Sequence, residues 1–169
     1  MAGASCVWED YAEARRLCTE AEVMDPTVLI VNDMISTFSE KAVVVTLHPE
    51  KLAGWLNQRV RNGHPPPKDI WCNRQRQLVN HTHPDRGGSG SLFAFDIAVT
   101  HYASDRVILC GAPMTVEGNH FVRREPWSAC MLFRRAWIAH MPSILPFARS
   151  FSGWTREMLG APTVDWIRS

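Results

Sequence analysis

The residues best able to do chemistry lie in a few short segments, each beside a change in hydropathy. Gly87-Gly88-Ser89-Gly90-Ser91 leads into an apolar, helix-like stretch that starts at Leu92. Glycines let a backbone approach a ligand closely, and the unbonded N–H groups of a helix's first turn favour an anion. Ser89 and Ser91 add hydroxyls, so the segment reads as a phosphate or nucleotide cradle, with a serine-capped loop as the plain alternative. It is neither a Walker motif, since no Lys-Ser/Thr follows, nor GxGxxG. Asn32 closes an apolar run, where its amide can bond a base or ribose or form an Asn-Asp turn with Asp33. His48, just after Thr46-Leu47, and His120, in Gly118-Asn119-His120-Phe121, are the candidate general bases.

Other clusters carry weaker chemistry. His81, His83 and Asp85 alternate, so an extended chain puts them on one face. A fourth ligand is not visible nearby, and the segment is read as a hydrogen-bonded loop with no metal assigned. Arg123, Arg124, Arg134 and Arg135 form a local basic patch, read as a solvated helix face. Trp8, Trp55, Trp127 and Trp137 recur on helical stripes and are expected in the core. Trp154 and Trp166 could stack on a ligand, a partner or the body of the domain.

The elements that must position these residues alternate in type. Residues 8–21 form an amphipathic stripe, with Ser5 as a candidate cap, and residues 50–61 form a second, closed by Gly63. Helices are also expected over 92–102 and over about 126–140. Residues 27–32, 42–47 and 106–110 are short β-branched runs, apolar on both faces, as in buried parallel strands. Residues 69–82 are ambiguous, with short strands conceivable at 70–72 and 78–79. The tail, about 149–169, is Trp-rich and reads as turns with one helical turn. The expected fold is therefore α/β, a Rossmann-like three-layer single domain over 1–169 with a mainly parallel sheet. The runs 28–31, 43–45 and 107–109 are expected to be adjacent strands of that one sheet. In such sheets ligands bind beyond the carboxyl ends of the strands.

Composition narrows the function classes. The 169 residues carry 18 Lys+Arg against 17 Asp+Glu, a net charge of +1, so no basic excess indicates DNA binding. The 46% hydrophobic content fits a folded domain rather than a disordered chain. No apolar run approaches membrane-spanning length, and no signal peptide is read at the amino end. Cys6, Cys18, Cys72, Cys110 and Cys130 are odd in number and lack CxxC spacing, so they are read as free thiols in a reducing, cytoplasmic compartment.

The stretch from Gly88 to Ala94 with Ala98-Val99, followed by Asp105-Arg106-Val107-Ile108-Leu109-Cys110-Gly111, resembles the nucleotide-binding core of bacterial sialyltransferases. It is similar also to a Rossmann-like family that includes an archaeal pterin pyrophosphokinase. Gly3-Ala4-Ser5 looks like the turn before the first helix of those folds. The whole chain resembles small uncharacterised proteins of tailed bacteriophages and prophages, which carry strings like Thr46-Leu47-His48-Pro49-Glu50, Gly111-Ala112-Pro113-Met114 and Ser152-Gly153-Trp154-Thr155. The resemblance implies a nucleotide- or nucleotide-sugar-binding protein, glycosyltransferase-like if catalytic. It would act on DNA bases or a glycan, in the host cytoplasm if phage-encoded, with no cofactor beyond the nucleotide. It implies binding through Ser5, Asn32, Gly88, Ser89, Gly90, Ser91 and Gly111, and a histidine base with His120 and His140 as counterparts; the strand-end position adds His48, and His48 or His120 is taken as the base. The alternative is a phage protein that binds a nucleotide, signal or partner without turnover.

The amino end carries one more expectation. An open parallel sheet places its first strand centrally, and the stretch from Met1 to Gly3 is too short to be that strand. Either the strands rearrange around the gap or a neighbouring chain covers the edge, making a homo-oligomer.

Overall fold

Short runs of β-branched residues alternate with amphipathic stretches, and the chain folds accordingly. The computed structural model describes residues 1–116, 120 and 129–169. Helix α1 spans Val7–Glu20, strand β1 Leu29–Val31, helix α2 Met34–Thr37, strand β2 Val43–Thr46 and helix α3 Pro49–Arg61. Strands β3 (Ile70–Cys72) and β4 (His81–Thr82), helix α4 (Gly90–His101) and strand β5 (Val107–Leu109) follow. The chain ends with helix α5 (Cys130–Ile144), strand β6 (Ala148–Ser150), and helices α6 (Gly153–Leu159) and α7 (Val164–Arg168). Pro49 starts α3 at a position that tolerates a missing N–H, and Gly63 follows its end in the left-handed region at φ +69°.

Among the described residues, all the strand pairs are parallel. β1, β2, β3 and β4 form one ladder in that order, with Val31 opposite Val45 and Val45 opposite Trp71. β5 and β6 form a second, Val107 opposite Ala148. This corrects the expectation for 107–109: its ladder partner is β6, and it is not a hydrogen-bonded neighbour of 28–31 or 43–45. The reason lies at the amino end. Met1 donates to the Leu29 carbonyl at 2.7 Å and accepts from the Val31 amide at 3.1 Å. Ala2 and Ala4 donate to the carbonyls of Cys110 and Gly111 at 2.8 and 3.1 Å. Residues 1–4 thus stand between β1 and β5, giving the lateral order β4-β3-β2-β1-stub-β5-β6. The strands do not rearrange around a gap; the stub takes the central place itself.

Alternation along the strands builds the layers. Ile30, Val44, Ile70 and Cys72 face a core shared with Val7, Met34, Ile35, Phe38 and Leu52. Val31, Val43, Val45 and Trp71 face the other way, against Phe93, Ala94 and Ile97 of α4. The opposite side of α4, through Leu92 and Phe95, packs on Leu109, Trp137, Met141 and Ile144. Helix α4 is therefore buried on nearly every side, which explains a sequence that is apolar with little periodicity.

Several expectations shift. Leu78 and Val79 are not a strand, and Leu78 sits at φ +73°. The tail holds a strand and two helices rather than turns with one helical turn. Trp137 is fully buried, but Trp8 is 41% exposed and caps Phe38 from outside in a stacked contact. Trp127, Arg123 and Arg124 lie outside the described residues, as does the expected helix start near Pro126. In the tail, Trp154 lies under the Arg134 guanidinium, and the guanidinium carbons of Arg106 and Arg149 stand 5.5 and 5.0 Å from the centre of the Trp166 ring.

Arg59 locks α3 to the turn after α2. Its guanidinium is buried and donates to the carbonyls of Pro65, Ile35, Phe38 and Glu40. Arg59→Met strands these acceptors and is expected to cost about 3 kcal/mol in denaturant unfolding; a loss under 1 kcal/mol would show that water replaces the guanidinium.

The seam predicts a pH profile. Burial lowers the Met1 amine from its ordinary 8.0, so below that value the unfolded chain takes up a proton that the native chain resists, and stability falls as pH falls. Burial pushes the Cys110 thiol from 9.0 up to about 12, so above pH 9 the unfolded chain ionises first and stability falls as pH rises. Urea midpoints are expected to peak between about pH 8 and 9, with the acid-side slope shallower after acetylation of the Met1 amine. A profile on which acetylation has no effect would contradict the enclosure of that amine.

Candidate functional site

The lateral order reverses at the stub: the chain runs outward through β1 to β4, then returns to β5 on the stub's other side. That reversal is a topological switch point, where two carboxyl-end loops part and leave a crevice. A cavity of about 510 Å³ lies there. Its lining comes from the segments that leave the stub, β1, β2 and β5, from the start of α4, and from Phe133 on α5. A ligand pocket of drug or nucleotide size has about 300–1,000 Å³.

Local sequence sets each wall. The 87–91 loop is not slack: the Asp85 carboxylate accepts from the Gly88 amide at 2.9 Å and from the Gly87 amide at 3.3 Å. Gly88 has φ +73°, and a Cβ there would press on the Phe133 ring. Below the loop, Arg86 forms an ion pair with the buried Asp96 of α4. Ser89 caps α4: its Oγ accepts from the Leu92 amide at 3.4 Å and from the Trp137 indole at 3.3 Å, and it lies 3.1 Å from Ser91 Oγ. The Ser89 hydroxyl is thus committed to the helix, as the plain reading allowed, while Gly90 and Ser91 bring the first-turn amides to the cavity wall. A Cβ on Gly90 would stand 2.7 Å from Val31 Cγ1 and 3.5 Å from Asn32 Nδ2, so glycine is what lets α4 begin against β1.

Asn32 follows β1 at φ +55°, a left-handed conformation that asparagine tolerates better than most residues. Its Oδ1 accepts from Thr46 Oγ1 at 3.0 Å, and the same Thr46 oxygen accepts from the His48 amide at 2.9 Å. Thr46 is fully buried at the end of the otherwise all-valine β2 and fixes both residues at once. The bond to Oδ1 leaves Nδ2 on the Gly90 side.

Two imidazoles line the cavity. His120 Nε2 pairs with Asp33 Oδ2 at 2.9 Å, and the residue bridges to Ala4. His48 Nδ1 lies 3.3 Å from Glu50, half exposed at the start of α3. Lys51 adds a cation to the wall and Asp33 an anion. Gly111, at φ +67°, turns the chain after β5; a Cβ there would strike the Ala2 carbonyl and Val7. Its amide donates to the buried Asp10 carboxylate at 2.8 Å, and Ser152 Oγ donates to the same carboxylate at 2.7 Å.

The structure thus brings Asn32, His48, Gly88, Ser89, Gly90, Ser91, Gly111 and His120 to one crevice. Ser5 is exposed and absent from its wall, where Ala2, Gly3 and Ala4 stand instead. Ser5 does not cap α1 either; Cys6 is the N-cap residue, without a side-chain bond. His81 pairs with Asp69 and His83 with His101, each at 3.0 Å, and no group of three potential metal ligands occurs among the described residues.

Thr46, Asp33 and Asp10 are the residues that sequence reading passed over. Thr46 and Asp10 had a visible signal, as lone polar residues on otherwise buried strand and helix faces. Asp33 gave none, since its partner is 87 positions away. Fold and crevice together define an open parallel α/β protein of Rossmann-like arrangement. No family model matches the chain, and no curated protein or solved structure matches it.

Thr46→Val keeps the shape of the side chain but strands the His48 amide and Asn32 Oδ1. It is expected to cost about 1–3 kcal/mol in urea unfolding. A neutral result would mean that Asn32 is held by the backbone alone.

Proposed function

We propose that the crevice binds a nucleotide or nucleotide sugar and that the protein is glycosyltransferase-like. The observation that carries this reading is the convergence, on one cavity at the switch point, of the first-turn amides of α4 and the Asn32 amide. Phosphate oxygens would take the Gly90 and Ser91 amides, where the helix dipole adds to the hydrogen bonds. Asn32 Nδ2 would donate to the ribose or base. Ser5 has no role in this arrangement.

His120 is the better placed base. Its Nε2 pairs with the Asp33 carboxylate at 2.9 Å, which orients the ring at the cavity wall and favours the imidazolium that forms when the ring takes a proton. In glycosyl transfer the His120 imidazole would take the proton of an acceptor hydroxyl as that oxygen bonds the anomeric carbon. The bond from that carbon to the phosphate oxygen breaks, and the α4 amides stabilise the anion that leaves. His48, oriented by Glu50, serves the acceptor side less directly.

Calorimetry with uridine, cytidine, guanosine and adenosine diphosphates, and with their sugar conjugates, tests the reading. One series is expected to bind, and Asn32→Asp, which sets a carboxylate beside the same amides, should weaken that binding at least tenfold. No binding in any series, or unchanged binding by the variant, would overturn it. Binding without sugar transfer or hydrolysis, unaffected by Asp33→Asn, would favour the non-catalytic alternative.

A further inference from the structure

After β4 the chain runs back along α4, from the last residue of that helix to its first turn, and side chains pin it on the way. His83 Nδ1 lies 3.0 Å from Nε2 of His101, the last residue of α4. Arg86 then pairs with the buried Asp96 in the middle of the helix, and Ser89 caps its start through the Leu92 amide. Between these pins the backbone has little free space. A Cβ on Gly87 would strike Ala136 of α5, and one on Gly88 would press on Phe133. The loop that carries the glycine wall of the crevice is therefore tethered at its origin by one bond between two imidazoles.

We propose that His83 and His101 form a proton-operated latch, closed while at least one ring is neutral and opened when both are imidazolium, so that acid loosens the loop carrying Gly87 and Gly88. The bond needs one ring nitrogen to donate and the other to accept. A neutral imidazole can do either, whereas an imidazolium only donates. With both rings protonated, two N–H groups and two positive charges face one another where 3.0 Å now separates the nitrogens. Neither can accept, and the rings part.

The neighbouring charges leave the second proton without a partner. On α4, Asp96 favours a charge on His83, but that carboxylate is already held by Arg86, which opposes the charge from the loop itself. Asp85 is engaged by the amides of Gly87 and Gly88. From β3, the Trp71 ring lies 4.2 Å from that of His101 and 4.5 Å from that of His81 on β4. Asp69 is occupied by His81 and by the Tyr102 hydroxyl, which in turn accepts from the Trp71 indole. Burial and the adjacent His101 hold His83 below the usual histidine range. The unfolded chain thus takes this proton near the ordinary 6.5 while the native pair resists it, so the stability tied to the latch is complete above that value and is lost as pH falls below it. The latch belongs to the unliganded wall and is independent of what the crevice binds.

The test follows NMR signals of the free 169-residue chain from about pH 8 to about pH 5. The ring C–H signals of His83 and His101 are expected to titrate as a coupled pair, in two steps about one pH unit or more apart. The backbone amide peaks of Gly87 and Gly88 should move with the lower step. His101→Gln should abolish that movement, because a side-chain amide can turn its NH2 or its oxygen to His83 and so keeps a bond to either form of the ring. His83→Gln should do the same from the other side, and it carries the test if the change at the end of α4 unfolds the chain. Rings that titrate independently, glycine amides that ignore the lower step, or amides that still follow it in a folded Gln variant would each refute the latch.

Discussion

Two parallel ladders in this protein are joined by the backbone of residues 1–4. Met1 bonds β1, and Ala2 and Ala4 bond the strand and turn that include Cys110 and Gly111. Everything at the crevice depends on that seam. It separates the carboxyl end of β1 from that of β5 by the width of one strand, and so lets Asn32 and Gly111 stand on opposite walls. A direct pairing of β1 with β5 would close that width to about 4.8 Å and leave no room between the loops.

Around the seam, buried polar groups replace what hydrophobic packing cannot provide, which is direction. Asp10, Thr46 and Arg59 are each buried, and each bonds backbone or side-chain groups from different segments. Asp10 sets the Gly111 turn and Thr46 sets Asn32 and His48, while Arg59 fixes the helix whose first turns bring Lys51 to the cavity. Apolar contacts hold the layers together, and these three side chains decide how the loops leave them. Ser89 works similarly at the start of α4, where the Trp137 indole reaches it from the far core.

Legibility in the sequence followed the range of the interactions. Periodicity located α1 and α3, the apolar stretch behind the glycine-serine loop located α4, and the β-branched runs located β1, β2 and β5, because each signal lies within a dozen residues. The rule that sites lie beyond strand ends then selected Asn32, His48, Gly111 and the glycine-serine loop correctly as neighbours. What could not be read was pairing. Val107-Ile108-Leu109 looks the same whether its neighbour is Leu29-Ile30-Val31 or Ala148-Arg149-Ser150, and β6, with an arginine at its centre, hardly reads as a strand at all. Nor does composition reveal that Met1 is itself a ladder member. The placement of Ser5 went wrong for a related reason: the stub delivers Ala2, Gly3 and Ala4 to the crevice, and by Ser5 the chain has already turned out to solvent.

The carboxylate of Asp10 has a consequence for the order of assembly. It joins its own helix to an amide 101 positions away and a hydroxyl 142 positions away, whereas β1 and β2 pair across a separation of 14 residues. Closing long loops costs more entropy than closing short ones, and distant contacts form slowly. The four-strand ladder can therefore gather from near neighbours, while the Gly111 wall waits for nearly the whole chain. During synthesis from the amino end, the crevice is the part of the molecule completed only after Ser152 has emerged.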